Sequence, residues 1–178
     1  MGTPGRSSRE RSERTLTGVV VGGEYVARMG AINEKIEFDI DAPAELAYAT
    51  LLDIDSLPRW SSSHKSAKVL ERDANGSPSL VEVEAGLVGI TDKLTFKYEF
   101  TENKCAWDTV GEGMAVRAQG GYYLLTPKDD GTVHVLVDMY IDPKVKLPGF
   151  VMKKGVKMAA DIASKGFAKE VLARKAKS

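Results

Sequence analysis

The end of this chain constrains its fold more than any other stretch. Residues 142–178 read Asp-Pro-Lys-Val-Lys-Leu-Pro-Gly-Phe and then run on to about Lys175 with apolar residues at three- and four-residue steps: Val151 and Met152, Val156, Ala159, Ile162 and Ala163, Phe167, Val171. Lysines fill most of the gaps, among them Lys153, Lys154, Lys157, Lys165 and Lys169. This is the pattern of a helix with one face against a core and its charges in water. Pro148 suits the opening turn, where its missing N–H would be unpaired in any case. At 1.5 Å per residue the helix spans about 37 Å, long enough to cross a small domain. A helix with so wide an apolar stripe needs a large partner surface, and the upstream sequence has to supply it.

That upstream sequence reads as sheet. Residues 32–40 alternate, with Ile36, Phe38 and Ile40 on one face and Lys35, Glu37 and Asp39 on the other, as in a half-buried strand. Asp41-Ala42-Pro43 closes it and opens a helix to about Asp53, with Asp41 or Ala42 at the cap, Pro43 at the first position, and Leu46, Ala47, Thr50 and Leu51 facing inward. A second short helix follows over 53–60, capped by Ser56 and closed by Trp60. Residues 64–74, 79–90, 92–102, 105–113, 117–127 and 132–142 then form six strands. Turn-like segments separate them: Ala74-Asn75-Gly76-Ser77-Pro78, Thr91-Asp92, Glu102-Asn103-Lys104 and Lys128-Asp129-Asp130-Gly131,. Gly86, Gly89, Gly120 and Gly121 suggest bends or bulges that curve the sheet. Strands joined by hairpins make a meander with one apolar face, and only the final helix is long enough to cover it.

Composition excludes several functions. The 178 residues carry 25 basic and 25 acidic side chains, so no net charge draws the chain to nucleic acid. One cysteine, Cys105, rules out an internal disulfide, and with two histidines it leaves no zinc-type spacing. It also fits a reducing, cytoplasmic setting. No apolar run reaches the roughly 20 residues that cross a bilayer, so no stable membrane insertion is expected. Residues 1–30 begin Arg/Ser/Gly-rich, lack the apolar core of a signal peptide, and are expected to be a disordered extension before a single domain over 31–178. Met29 is a second candidate start.

In this order the elements resemble the START-like helix-grip superfamily and, within it, the bacterial polyketide cyclase/dehydrase and lipid-transport (SRPBCC) group, which includes small actinobacterial proteins. The resemblance covers about residues 32–175. It is carried by Asp41-Ala42-Pro43-Ala44-Glu45, by Asp53-Ile54-Asp55-Ser56-Leu57-Pro58-Arg59-Trp60, by Gly121-Tyr122-Tyr123-Leu124-Leu125-Thr126-Pro127 with Asp130-Gly131-Thr132-Val133, and by the final helix. It implies an α+β helix-grip fold: a curved seven-stranded antiparallel sheet around a long C-terminal helix, with two short helices after the first strand. It further implies a hydrophobic cavity between sheet and helix. Carriers, receptors and enzymes share this fold, so it does not settle the chemistry.

Candidate cavity residues are Trp60, Phe96, Tyr98, Trp107, Val137, Met139, Met152, Val156 and Ala159; taken singly each reads better as ordinary core, and only together do they suggest a pocket. Arg117 and Tyr123 join them if the odd-numbered face of strand 117–127 points inward. The resulting expectation is a cofactor-free, metal-free carrier of a hydrophobic small molecule or lipid, acting as monomer or homodimer. Two readings compete with it. One is a polyketide cyclase or dehydratase using Arg117, Tyr123 or His64, although no catalytic constellation is recognisable. The other is an interaction module with a filled core. The lysines around Phe150 read as a solvated face or as a contact with anionic membrane.

Overall fold

The computed structural model describes residues 18–21, 24–27, 31–87 and 89–178. Most of the N-terminal extension lies outside the described residues. Within it, the backbone of β1 (Gly18–Val21) pairs antiparallel with β2 (Glu24–Ala27).

From residue 31 the chain follows the expected order. β3 (Ile32–Ile40) leads into α1 (Ala44–Leu52), a single 3-10 turn (Ile54–Ser56) and α2 (Leu57–Trp60). Six strands follow: β4 (His64–Arg72), β5 (Pro78–Leu87), β6 (Ile90–Phe100), β7 (Lys104–Thr109), β8 (Val116–Pro127) and β9 (Val133–Pro143). They form one antiparallel sheet in the order β3-β9-β8-β7-β6-β5-β4. Neighbours in sequence are neighbours in space except at β3, which pairs with β9. The last helix covers the inner face of the sheet, and the architecture is the expected α+β helix grip.

Several local expectations shift. Pro43, not Asp41 or Ala42, takes the cap position of α1. Ser56 takes the cap position of α2 as expected, but its hydroxyl donates back to the Asp53 carbonyl at 2.7 Å and makes no cap bond to the helix. The β5–β6 reversal lies between Leu87 and Ile90, where Gly89 has φ +86°, so Thr91 and Asp92 belong to β6. Gly120 and Gly121 pair in unbroken register with Tyr140 and Met139; the bulge in β8 falls between Val116 and Ala118. Glycine at 120 answers a close approach, since a Cβ there would sit 2.5 Å from the Trp107 carbonyl oxygen.

The final helix is continuous over 27 residues but not uniform. α3 (Gly149–Asp161) passes through a π-type turn (Ile162–Gly166) into α4 (Phe167–Lys175). In the wide turn, the Phe167 N–H donates to the Ile162 carbonyl five residues back. Gly155, Ala163, Phe167 and Val171, spaced by multiples of four, are all buried. Four residues overshoot an α-helical turn of about 3.6, so this row would drift around a regular helix. One wider turn takes up the drift and keeps the row facing the sheet. Local chemistry agrees: Ser164 Oγ donates back to the Ala160 carbonyl at 2.7 Å, a contact that bends helices. Gly166 also lets the Trp60 carbonyl come within 2.5 Å of where a Cβ would stand.

The two halves of this helix meet different surroundings. α4 sets Phe167 and Val171, both fully buried, against α1 and the inner residues Ile40, Tyr123, Leu125, Val133, Val135 and Val137. A second cluster lies under α2, from Ile54 and Leu57 to Val81, Val83, Leu94 and Phe96. Between these clusters, beneath α3, the interior is not filled.

Candidate ligand-binding cavity

A cavity of about 270 Å³ occupies that space, close to the lower end of the roughly 300–1,000 Å³ seen for ligand sites. Its floor is the sheet, where Phe96, Tyr98, Trp107, Tyr123 and Met139 line it. Its roof is α3, with Met152, Val156 and Ala159, and Trp60 closes one side from α2. Small residues at 155, 159 and 163 keep the helix wall thin.

Two expected lining residues stand elsewhere. Val137 is fully buried in the packed cluster under α4. Two residues along a strand is about 7 Å, and that step from Met139 to Val137 leaves the cavity for solid core. Arg117 is the other. The odd-numbered face of β8 does point inward at Gln119, Tyr123 and Leu125, but the bulge at Val116–Ala118 turns Arg117 out. Its side chain is 51% exposed and pairs with Asp142 at 2.9 Å. The buried-arginine argument for an anionic ligand therefore falls.

The mouth lies around the β5–β6, β7–β8 and β9–α3 connections, with Ala115, Val145 and Leu147 from the connections and Gly86, Ile90, Val116 and Val151 from the adjoining ends of the strands and α3. Asp92 holds it together. One carboxylate oxygen accepts the N–H groups of Lys93 and Met114, the other those of Ala115 and Val116, at 2.9–3.3 Å. Burial alone would raise the Asp92 carboxyl, but these backbone bonds outweigh it and hold the group below the ordinary carboxylate range. Asp92→Ala is expected to cost about 2 kcal/mol at neutral pH by orphaning those donors, measured by urea unfolding. The difference from the wild type should fade in acid, as pH falls below the ordinary 3.8 through the depressed folded value. Asp92→Asn should not rescue, because an amide NH₂ would face two N–H donors. Beside the mouth, Met114, Phe150 and Val145 are exposed at 79%, 76% and 43%.

Polar groups on the lining are few, and apart from the carboxylate of Glu34 those without a partner are uncharged. The Tyr123 hydroxyl is engaged, donating to the Ala163 carbonyl of the π turn at 3.0 Å. Burial, with the Cys105 thiol and Tyr98 nearby, pushes its pKa up. His64 Nδ1 lies 2.6 Å from Ser61 Oγ and 3.3 Å from Ser63 Oγ. Ser61 is 1% exposed, so its hydroxyl proton goes to Nδ1 or to Ser63. Trp60 Nε1 is the one sealed side-chain polar atom without a partner among the described residues. The indole is therefore held by packing, 5.5 Å from the Phe167 ring. His64 Nε2 and the Tyr98 hydroxyl also lack a described partner and are not sealed, so both are open to the cavity they line.

His64 gives a pH signature. Burial lowers its pKa from 6.5 to about 4, so between those values the unfolded chain binds a proton that the folded chain does not. Stability then falls as pH drops from 6.5 towards 4, by an amount on the order of 1–3 kcal/mol. Comparing the wild type with His64→Gln in urea across this range checks it. The wild type's stability relative to the variant should be flat above 6.5 and shrink below.

Sequence reasoning did not find Asp92, which reads as a turn residue; Gln119 reaches the lining with the odd-numbered face of β8. The proximity of Met114–Val116 to Asp92 is a tertiary fact without a local signal. Among the described residues no three His, Cys, Asp or Glu side chains are grouped to hold a metal ion, and no helix is long and apolar enough to cross a membrane.

An open seven-stranded sheet gripping a long helix, with an apolar cavity between them, defines the ligand-holding class of helix-grip proteins. The family model for polyketide cyclase / dehydrase and lipid transport matches residues 40–167, and the chain belongs to that family. Among solved structures, a START superfamily protein from Mycobacterium smegmatis superposes with TM-score 0.68 at 20% identity, covering 79% of this chain and 96% of that one. The ZhuI aromatase/cyclase from a Streptomyces species gives TM-score 0.70 at 12% identity, with 81% and 95% covered. A Thermus thermophilus protein gives 0.67 at 19% identity, with 80% and 99% covered. At these identities the likeness is one of fold. No curated protein sequence matches the chain.

Proposed function

We propose that this protein binds and carries a hydrophobic small molecule or lipid in the cavity between the sheet and α3. The observation that carries the reading is the continuous apolar space of about 270 Å³ bordered by the two hydrophobic clusters. A ligand would recover the packing that the space forgoes and stabilise the folded state by mass action.

The residues on which a cyclase or dehydratase reading rested do not assemble. Arg117 faces Asp142 and solvent, the Tyr123 hydroxyl is spent on the helix backbone, and His64 has only serine hydroxyls as partners. Binding without chemistry is the function these positions support. Native mass spectrometry of gently purified protein, with uptake of the neutral probe N-phenylnaphthylamine, tests it. A retained small molecule, or saturable probe fluorescence with a rise in melting temperature, is expected. A protein that carries nothing and takes up no probe would end this reading in favour of an interaction module.

A further inference from the structure

Resting on that reading, the polar groups of the cavity narrow the ligand to a chemical class. Besides the sealed Trp60 Nε1 and the Glu34 carboxylate, three lining side chains have free hydrogen-bonding atoms: His64 at Nε2, Tyr98 at its hydroxyl, and Gln119 at its amide. For none of these atoms is there a partner among the described residues. All three groups are uncharged at neutral pH. His64 is neutral because burial disfavours its protonated form, and Tyr98 because burial pushes its phenol pKa up. If the buried Ser61 hydroxyl donates to Nδ1, as its 2.6 Å separation favours, the imidazole proton sits on Nε2 and faces the ligand as a donor.

Formal charge on the lining points the same way. No lysine or arginine lines the cavity, while three carboxylates do: Glu34, Asp53 and Asp92. Asp53 is paired with Arg174 at 2.7 Å, and Asp92 is saturated by backbone N–H groups. Glu34 projects from the inner face of β3, opposite Met139, and no partner is described for it. An anionic headgroup entering here would lose its hydration, gain no counter-charge and meet a carboxylate. An oxygen of a ketone, ether or alcohol would lose far less and find waiting donors.

We propose that the cavity selects an uncharged, mostly apolar molecule bearing hydroxyl or carbonyl oxygens, received by His64, Tyr98 and Gln119, and that it discriminates against carboxylates and phosphates of the same carbon skeleton. His64 and Tyr98 stand on different strands, β4 and β6, so a ligand with two separated oxygens fits better than one with a single polar end.

Displacement of N-phenylnaphthylamine at pH 7.5 by decyl methyl ketone, dodecanol and dodecanoate tests the proposal on equal chain lengths. The ketone and alcohol are expected to displace the probe at concentrations at least about tenfold below dodecanoate. Tyr98→Phe and His64→Gln keep ring or chain volume. In Tyr98→Phe the alcohol should weaken about fivefold more than N-phenylnaphthylamine does, the loss of one hydrogen bond. Dodecanoate displacing as well as the ketone would overturn the selectivity while leaving the carrier reading intact. So would unchanged alcohol affinity in Tyr98→Phe together with His64→Gln. Failure of the wild type to bind the probe at all would overturn both readings.

Discussion

Ala159→Trp is expected to abolish uptake of apolar probes while the protein still folds. Ala159 lies on α3 over the cavity, so an indole there enters empty space instead of a packed interior. Overpacking a filled core costs about 1–3 kcal/mol; filling a void avoids most of that strain and adds apolar burial. Affinity for N-phenylnaphthylamine should fall by more than about tenfold, with melting temperature unchanged or higher. Met152→Trp, about two helical turns earlier on the same face at the cavity roof, should act in the same direction with a smaller effect, because methionine already occupies part of the volume. A melting temperature lowered in both variants with probe affinity intact would return this stretch of helix to plain core.

Phe167→Ala should do the opposite, costing about 3–5 kcal/mol of stability, the range for truncating a buried phenylalanine. Phe167 is fully buried, with its ring 5.0 Å from Tyr123 and 5.5 Å from Trp60. The hole opens beneath α4, in the packed cluster, and the π turn next to it loses the side chain that anchors its exit. Urea unfolding should show a lower midpoint with a similar slope. Eight residues along one helix thus separate a position that governs binding from one that governs folding.

The division follows from the π turn. An amphipathic stripe announces that residues 151–171 have a buried face, and the observed helix does bury it. Periodicity treats the stripe as uniform, however. It has no means of saying that Val156 and Ala159 face a void while Phe167 and Val171 face solid core, because that depends on what the sheet presents opposite each turn. The same limit explains Val137 and Met139. Both point inward from β9 by simple alternation, and only their height along the strand separates core from cavity.

Arg117 illustrates a sharper failure of alternation. Of the two registers open to strand 117–127, the one with odd-numbered residues inward holds at Gln119, Tyr123 and Leu125. One extra residue at Val116–Ala118 breaks it for Arg117, and a bulge has no reliable sequence signature here, since Gly86, Gly120 and Gly121, which suggested bending, sit in regular register. The free polar atoms of His64, Tyr98 and Gln119 were equally hidden. Whether a histidine or tyrosine is satisfied depends on neighbours from other strands.

By itself, then, the sequence determined the element order, the antiparallel meander, the covering helix and the family, because those are written in local periodicity, turn residues and motif order. The tertiary structure decided which half of the helix roofs a cavity, which lining groups remain without partners, and that Arg117 leaves the site. Those are properties of what lies opposite a side chain, and a chain carries that information only once its strands have paired and its long helix has come to rest on them.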